Sequence, residues 1–374
     1  FVMTTTSFDI KKLMDKGYCA ALSESPVIQK ELEQMYEPIQ QQLTYEGKLY
    51  GAPFYCYIGY YAYRPDAWAA AGLTQEDVPT SFTELLDFLE AWVERIIEPE
   101  DDISVCNAFA SEAYGEDSYI SYLVDHLIQN YIMDYNYANK PLRFDTPLFR
   151  NLLERCEKIG ADLYLYEPRV KGDFALFEDL YGMRELAHLI PLRMTNEQPV
   201  LIKASLYTGF LNARSQHQEL ATEYLEAVVT SIAPEMGAYL YRDAEPVENP
   251  DFRRAMDKLQ AEIDEAEEKL ATSKEMEPVE RNTLQDQVDV MKREWEQMSM
   301  SEERYLISEN DLRLYRNYGD NLYFQAPSIF DPSTEDGQNM KQLRDRFCTG
   351  NLSADQFISR LDELAWILEQ EGQQ

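Results

Sequence analysis

The most regular alternation of apolar and polar positions lies between residues 250 and 300. Phe252, Met256, Leu259, Ile263, Ala266 and Leu270 recur at spacings of four and three, and after "TSKEMEP" Leu284, Val288, Met291, Trp295 and Met298 do the same. A repeat averaging three and a half residues predicts two heptad helices, and the short polar link folds them into an antiparallel helical hairpin. Glu, Lys, Asp and Gln crowd the other faces, as on a solvated arm. Such an arm either packs only on itself or docks a partner protein.

Elsewhere the pattern alternates between strand and helix. "FVMTTT" reads as the end of a strand, and Asp9 to Lys16 as a helix with Ile10, Leu13 and Met14 on one face and Gly17 as its stop. A helix near Pro26 to Met35 leads to "GKLYGAPF", a turn followed by strand, and Tyr55 to Tyr63 is strand by its length and aromatic content. Helices follow at Asp66 to Ala71 and Ser81 to Ile97, the second capped by Thr80 or Ser81 with Glu84. "ISVCNAFA" is a short strand that delivers the polar-aromatic loop "SEAYGEDS". Tyr119 to Asn130 and Pro147 to Ile159 are helical, "LAHLIPLR" and "PVLIKASLYTGFLNA" are strands, and Gln218 to Thr230 is a helix. Asn339 to Glu371 holds two amphipathic helices, the first ended by Thr349 and Gly350, the second capped by Ser353 with Gln356. Alternation on this scale predicts an α/β architecture.

At 374 residues the chain is too long for one ordinary core, so two or more domains are expected. Its 68 acidic and 34 basic residues give a formal charge of −34, which repels nucleic acid and anionic membranes. Cys19, Cys56, Cys106, Cys156 and Cys348 are scattered and form no C-x-x-C pair, against a disulfide-dense scaffold or zinc ribbon. No apolar run approaches the ~20 residues that span a bilayer, and no basic-then-apolar leader opens the chain. Because the first residues read as strand, Phe1 looks internal to a longer natural chain.

Catalytic signatures are missing: there is no G-x-S-x-G, H-E-x-x-H, glycine-rich phosphate loop or dinucleotide fingerprint. His126, His188 and His217 stand apart from one another and from cysteine, as ordinary structural or surface histidines do. Neither a metal site nor a cofactor is expected. Carboxylates are abundant enough to hold a facing pair, which leaves a glycosidase as a rival reading. The aromatic loops say more. A sugar ring offers apolar C–H faces to aromatic rings and hydroxyls to carboxylates and amides, and "YCYIGYY" and "SEAYGED" supply both. Taken alone, a tyrosine-rich strand is more often core than ligand wall.

The order of motifs carries a resemblance. "MTTTSFDIKKLMDKGYCAALSE", "GKLYGAPFYCYIGYYAYRPDAWAAAGL" and "VPTSFTELLDFLEAW", then "LIPLRMTNEQPVLIKASLYTGFLNARSQHQELATEYLEAVV" and "FCTGNLSADQFISRLDE", together resemble the extracellular solute-binding proteins of bacterial ABC transporters, in the sugar-binding-like family. The family's Tyr-Asn-Lys-Asp-like box reads here Tyr63, Arg64, Pro65 and Asp66, and its Pro-x-Thr-Trp-x-Glu helix start runs from Pro79 to Glu84. The resemblance covers nearly the whole chain except the heptad hairpin, which looks like an insertion.

That resemblance implies a two-lobed periplasmic-binding-protein (type II) fold with a hinge, its N-terminal lobe lacking the family's first strand and helix, plus the inserted hairpin. The implied divisions are an N-terminal lobe at 1–58, hinge crossing and C-terminal lobe start at 59–107, and C-terminal lobe and return crossing at 108–205. Lobe and hinge segments follow at 206–249, the hairpin at 250–300, and C-terminal helices bordering the cleft at 301–374. Implied ligand contacts are Thr4, Thr5, Thr6 and Ser7 after the first strand, Tyr55 and Tyr57 in the first crossing, and Ser111, Glu112 and Tyr114 on the matching loop. Tyr181, Tyr207, Tyr323 and Gln325 are implied from the other lobe and the late helices. Tyr57 and Tyr207 stand where the family has smaller or acidic residues. By alternation along a strand, Tyr55 and Tyr57 face the cleft while Cys56 and Ile58 face the core.

The expectation is therefore a non-catalytic, monomeric solute receptor, periplasmic or a cell-surface lipoprotein, that hands a small polar solute, a sugar or oligosaccharide first, to a membrane permease. The rivals are a carboxylate-dependent glycosidase and an interaction protein acting through the hairpin.

Overall fold

The computed structural model describes residues 2–4, 10–97, 106–109, 118–166, 174–181, 188–190, 193–272, 277–324 and 335–372. The first part of the chain contains β1 (Val2–Thr4), α1 (Ile10–Asp15), β2 (Cys19–Ala20), α2 (Pro26–Glu33), α3 (Glu37–Leu43), β3 (Thr44–Tyr45) and β4 (Lys48–Leu49). Then come β5 (Gly51–Tyr63), α4 (Pro65–Ala70), α5 (Phe82–Ile97), β6 (Cys106–Phe109), α6 (Ser118–Tyr137), α7 (Pro147–Tyr166), β7 (Phe174–Tyr181) and β8 (His188–Ile190). The return through the sheet is β9 (Ile202–Asn212), followed by α8 (Gln218–Thr230), α9 (Pro234–Gly237) and β10 (Val247–Glu248). The remainder is α10 (Pro250–Thr272), α11 (Pro278–Met300), β11 (Tyr305–Ile307), α12 (Glu309–Tyr318), β12 (Leu322–Tyr323), α13 (Glu335–Cys348) and α14 (Ala354–Gly372).

Among the described residues eight strands form one mixed sheet, its path β1-β9-β5-β7-β6, with β2 and β12 also paired to β9 and β8 to β5. Pairing is antiparallel except β6 with β7 and β12 with β9. The long strand β5 changes partners midway. Gly51 to Ile58 pair with β9, whereas Gly59 to Tyr63 pair with β7 and Tyr61 to Tyr63 with β8. A bulge falls between Pro53 and Tyr55, where proline has no N–H for the ladder.

Two large hydrophobic clusters flank that change of partners. One gathers Ile28, Ile39, Leu43, Cys56, Ile58, Leu206, Phe210, Leu225 and Leu322 around the β5–β9 half of the sheet. The other gathers Trp68, Leu86, Trp92, Phe109, Leu127, Leu153, Phe177 and Phe357, from α4 to α7, β6, β7 and α14. Each fully buried aliphatic or aromatic side chain contributes about 1.5–3 kcal/mol over its exposed state, so each cluster stabilises the elements that meet in it.

Local signals explain the helix starts. Ser25 caps α2, accepting from the Ile28 N–H at 3.1 Å, with Pro26 at the first helical position. At α5 the expected box forms: Glu84 N–H donates to Ser81 Oγ at 3.2 Å, and Glu84 Oε2 accepts from Thr80 N–H at 2.8 Å. The same start is tied to the segment that leads into β9, for Phe82 N–H donates to the Arg193 carbonyl at 2.6 Å and Asn196 donates to Glu84 at 2.5 Å. Ser353 and Gln356 cap α14 reciprocally. Gly17 ends the first helical segment with φ +66°, a conformation glycine adopts without steric cost.

The heptad segments are α10 and α11, packed on one another with Ile263 and Val288 buried at mid-length. At its base, Val247 pairs with Ile307 and Asn249 N–H donates to the Arg304 carbonyl at 2.8 Å. Several elements go beyond the expectation from sequence, among them the helices α3, α9 and α12 and the strands β2, β7, β10, β11 and β12, while α6 runs on to Tyr137 and α7 to Tyr166. Among the described residues no helix is long and apolar enough to cross a membrane.

Candidate functional site

Alternation along β5 and β9 sorts their residues onto two faces. Cys56 and Ile58, with Leu206 and Ala204 opposite them, lie 0 to 4% exposed in the first cluster. Burial accordingly pushes the Cys56 thiol up to about 12. On the other face Tyr55 is paired with Tyr207 and Tyr57 with Ser205, and these tyrosines are only half-buried.

Their rings make one aromatic surface. Tyr55 lies 5.6 Å from Tyr207 and 6.0 Å from Tyr57, and Tyr57 lies 6.1 Å from Tyr207, all tilted. The bulge adds Phe54, whose ring is 6.4 Å from that of Tyr207. Partial burial, and then the Tyr207 hydroxyl nearby, raises the Tyr55 phenol, which keeps its proton and can donate a hydrogen bond.

Further along the same strand the tyrosines do a different job. Tyr61 and Tyr63 are buried in the second cluster, Tyr61 stacked on Phe177 at 5.3 Å with the His126 ring edge-on at 5.1 Å, and Tyr63 5.3 Å from Trp68. One face of β5 thus passes from a half-open aromatic wall at Tyr55 and Tyr57 into packed core at Tyr61 and Tyr63, with Gly59 between. His126 is part of that aromatic packing, as expected of a structural histidine.

The wall extends along β9 by the same alternation. Lys203 shares the face of Ser205 and Tyr207, and its Nζ donates to Gln129 Oε1 on α6 at 3.3 Å. Opposite Lys203 on β12 stands Tyr323, half-buried, its phenol raised by burial, with the exposed Tyr137 of α6 edge-on at 6.3 Å. Gln129, Tyr137, Lys203 and Phe54 were not among the residues expected from sequence. The helical pattern fades after Asn130, which leaves Tyr137 outside the expected helix, and Lys203 has no motif of its own.

Of the expected contacts, Tyr55, Tyr57, Tyr207 and Tyr323 lie on β5, β9 and β12. The backbone of Thr4 pairs with Thr208, next to Tyr207, and the backbone of Tyr181 pairs with Gly59. Thr5, Thr6, Ser7, Ser111, Glu112, Tyr114 and Gln325 lie outside the described residues. Among the described residues no group of histidine, cysteine and carboxylate side chains could hold a metal ion, and Cys19, Cys56, Cys156 and Cys348 are free thiols.

Residues 2–146 match the family model of the bacterial extracellular solute-binding proteins. No curated protein matches the sequence. Solved structures match over almost the whole chain. One, from work on xylan utilisation by Caldanaerobius polysaccharolyticus, has 11% identity and a TM-score of 0.53, over 96% of this chain and 84% of that one. The cyclic α-maltosyl-1,6-maltose binding protein of Arthrobacter globiformis has 11% identity and a TM-score of 0.51, over 97% and 82%. An ABC substrate-binding protein of Listeria monocytogenes in complex with cycloalternan has 10% identity and a TM-score of 0.50, over 97% and 83%. The chain therefore carries the sequence pattern of the bacterial extracellular solute-binding proteins over residues 2–146 and folds, over nearly its full length, as solute-binding proteins do.

Proposed function

We propose that this chain is the solute-binding component of an ABC importer, a non-catalytic receptor that takes up a sugar or oligosaccharide between two lobes and delivers it to a membrane permease. The observation that carries this reading is the half-buried trio of Tyr55, Tyr57 and Tyr207, placed where β5 leaves one hydrophobic cluster for the other. Aromatic faces stack on the apolar C–H face of a pyranose while phenol hydroxyls bond its edge, and the position between two independently packed halves suits closure by hinge motion. The solved proteins of like fold include binding proteins for cyclic α-maltosyl-1,6-maltose and for cycloalternan, both oligosaccharides.

In this reading the two lobes are the halves built on the two clusters, and β5 and the segment before β9 are crossings. Thr4, Thr5, Thr6 and Ser7 offer hydroxyls from the first loop. Ser111, Glu112, Tyr114, Tyr181, Tyr323 and Gln325 are further ligand contacts in this reading. The receptor works as a monomer outside the cytoplasmic membrane, periplasmic or held at the cell surface by a lipid anchor.

A thermal-shift screen against mono- and oligosaccharides, polyols, peptides, amino acids and polyamines tests the proposal. A ligand at about a hundredfold excess over its Kd stabilises the folded state by about 2.7 kcal/mol, a readable rise in Tm. The expected result is a rise with one carbohydrate class, and Tyr57→Ala weakening that binding by about tenfold through loss of stacking. A rise with peptides, amino acids or polyamines alone would show the ligand class to be wrong.

A further inference from the structure

We propose that Gln129 and Tyr137 of α6, with Lys203 of β9 and Tyr323 of β12, form a two-point clasp that holds the two halves of the molecule in their closed arrangement. This inference rests on the two-lobed reading above and assigns the residues that set the balance between open and closed forms.

The contacts bridge the two hydrophobic clusters. Helix α6 is anchored in one of them through Leu123, Leu127 and Tyr131, whereas β9 and β12 are anchored in the other through Ile202, Ala204 and Leu322. Between them run the hydrogen bond from Lys203 Nζ to Gln129 Oε1 at 3.3 Å and the edge-on pair of Tyr137 and Tyr323 at 6.3 Å. The two contacts fan out from neighbouring strand positions to more widely spaced helix positions. Gln129 and Tyr137 are about 12 Å apart along the helix and about 80° apart around it. Their partners are direct neighbours across the parallel β9–β12 pair, Tyr323 opposite Lys203. A long lysine and a tyrosine projecting from adjacent strands can span those two helical positions at once.

Neither contact is needed to fill a core. Gln129 and Lys203 are exposed, and Tyr137 is 55% exposed, so these three side chains bury little of their own surface. Contacts that add little to either half, yet exist only when the halves meet, act on the equilibrium between arrangements rather than on folding. Two such contacts of modest strength change an open-to-closed ratio by about tenfold. Ligand affinity then falls with the closed population even where the ligand touches neither residue.

The test needs no ligand, so its outcome is separate from that of the carbohydrate screen. Small-angle X-ray scattering is recorded on the full chain as wild type, Q129A/Y137A, and Y137F, which keeps the ring. Circular dichroism melts check that each variant folds, and should the double variant fail, Y137A alone replaces it. The expected result is a larger radius of gyration for Q129A/Y137A, fitted by an open fraction raised relative to closed by about two- to tenfold, with Y137F scattering like wild type. Equal radii for wild type and the double variant, or a Y137F radius that follows the double variant, would overturn the proposal.

Discussion

Asp134 lies on α6 with only 8% of its surface exposed, and its Oδ2 is buried without a hydrogen-bond partner. Burial pushes its carboxyl up to about 7, with the Lys140 ammonium pulling weakly the other way. In the unfolded chain an aspartate titrates near 3.9, so the folded protein holds this proton more tightly. The sign follows: the group adds no charge penalty while it is protonated in both states, and stability is lost as pH rises from about 4 through about 7. Asp134→Asn removes the charge, and we expect it to raise the urea midpoint of unfolding at pH 8, by the equivalent of about 2–4 kcal/mol, with the gain vanishing towards pH 4. A variant whose advantage is the same at both pH values would show that the charge is not the cause. Nothing in the sequence marks Asp134, because its burial is set by tertiary packing and not by the local pattern. Tyr55 and Tyr57 are the contrary case, legible from alternation alone, since a strand with one covered face must send every second residue to the other.

At the scale of elements, α6 and α7 show how close packing depends on one missing side chain. A Cβ placed on Gly160 would lie 2.7 Å from the Ile120 Cα and backbone N, and 2.6 Å from its Cγ1. Backbone cannot swing aside as a side-chain tip can, so Gly160→Ala must push the helices apart. We expect it to cost about 1–3 kcal/mol, despite the better helix propensity of alanine, read as a lower Tm with unchanged helical circular dichroism at 20 °C. The heptad hairpin behaves in the opposite way. Because Asn249 and Arg304 are hydrogen-bonded at its base, replacing residues 251–302 by a two-residue Asn-Gly turn leaves the flanking ribbon closed. That excised protein should bind the same carbohydrate with Kd changed less than about twofold, checked by isothermal titration; a larger loss would make the hairpin part of the site. The hairpin was readable because eleven apolar positions repeat one spacing. Helix α3 was not, for Ile39 and Leu43 are its only buried residues, one turn apart, which cannot establish a period. Strand β7 owes its place to pairing with β5 and β6, contacts distant in sequence, while Glu178 and Asp179 interrupt its apolar run. Family resemblance supplied the candidate contacts that no local pattern could, yet it passed over Gln129 and Tyr137, whose meaning lies in what they touch.

For the whole molecule the dominant unspent quantity is charge. Even if each of the 34 basic residues met a carboxylate, half of the 68 acidic residues would remain uncompensated. The described ion pairs are mostly at the surface, such as Arg150 with Asp145 and Asp355, Arg253 with Glu248, and Arg316 with Glu309. Exposed pairs are worth about 0–1 kcal/mol each and weaken with salt. Repulsion among the uncompensated carboxylates weakens with salt as well, and it acts between many more partners at longer range. The Debye length falls from about 30 Å at 0.01 M to about 8 Å at 0.15 M, which removes the long-range repulsion before it touches contacts at 3 Å. Repulsion should therefore decide the sign. We expect Tm to rise by several degrees between 0.01 M and 0.3 M NaCl at pH 8, with a smaller rise at pH 5, where some carboxylates begin to take up protons. Differential scanning calorimetry at both pH values checks it. A Tm that falls with salt would mean that the surface pairs outweigh the excess charge, and that the acidic residues are arranged far less evenly than their number implies.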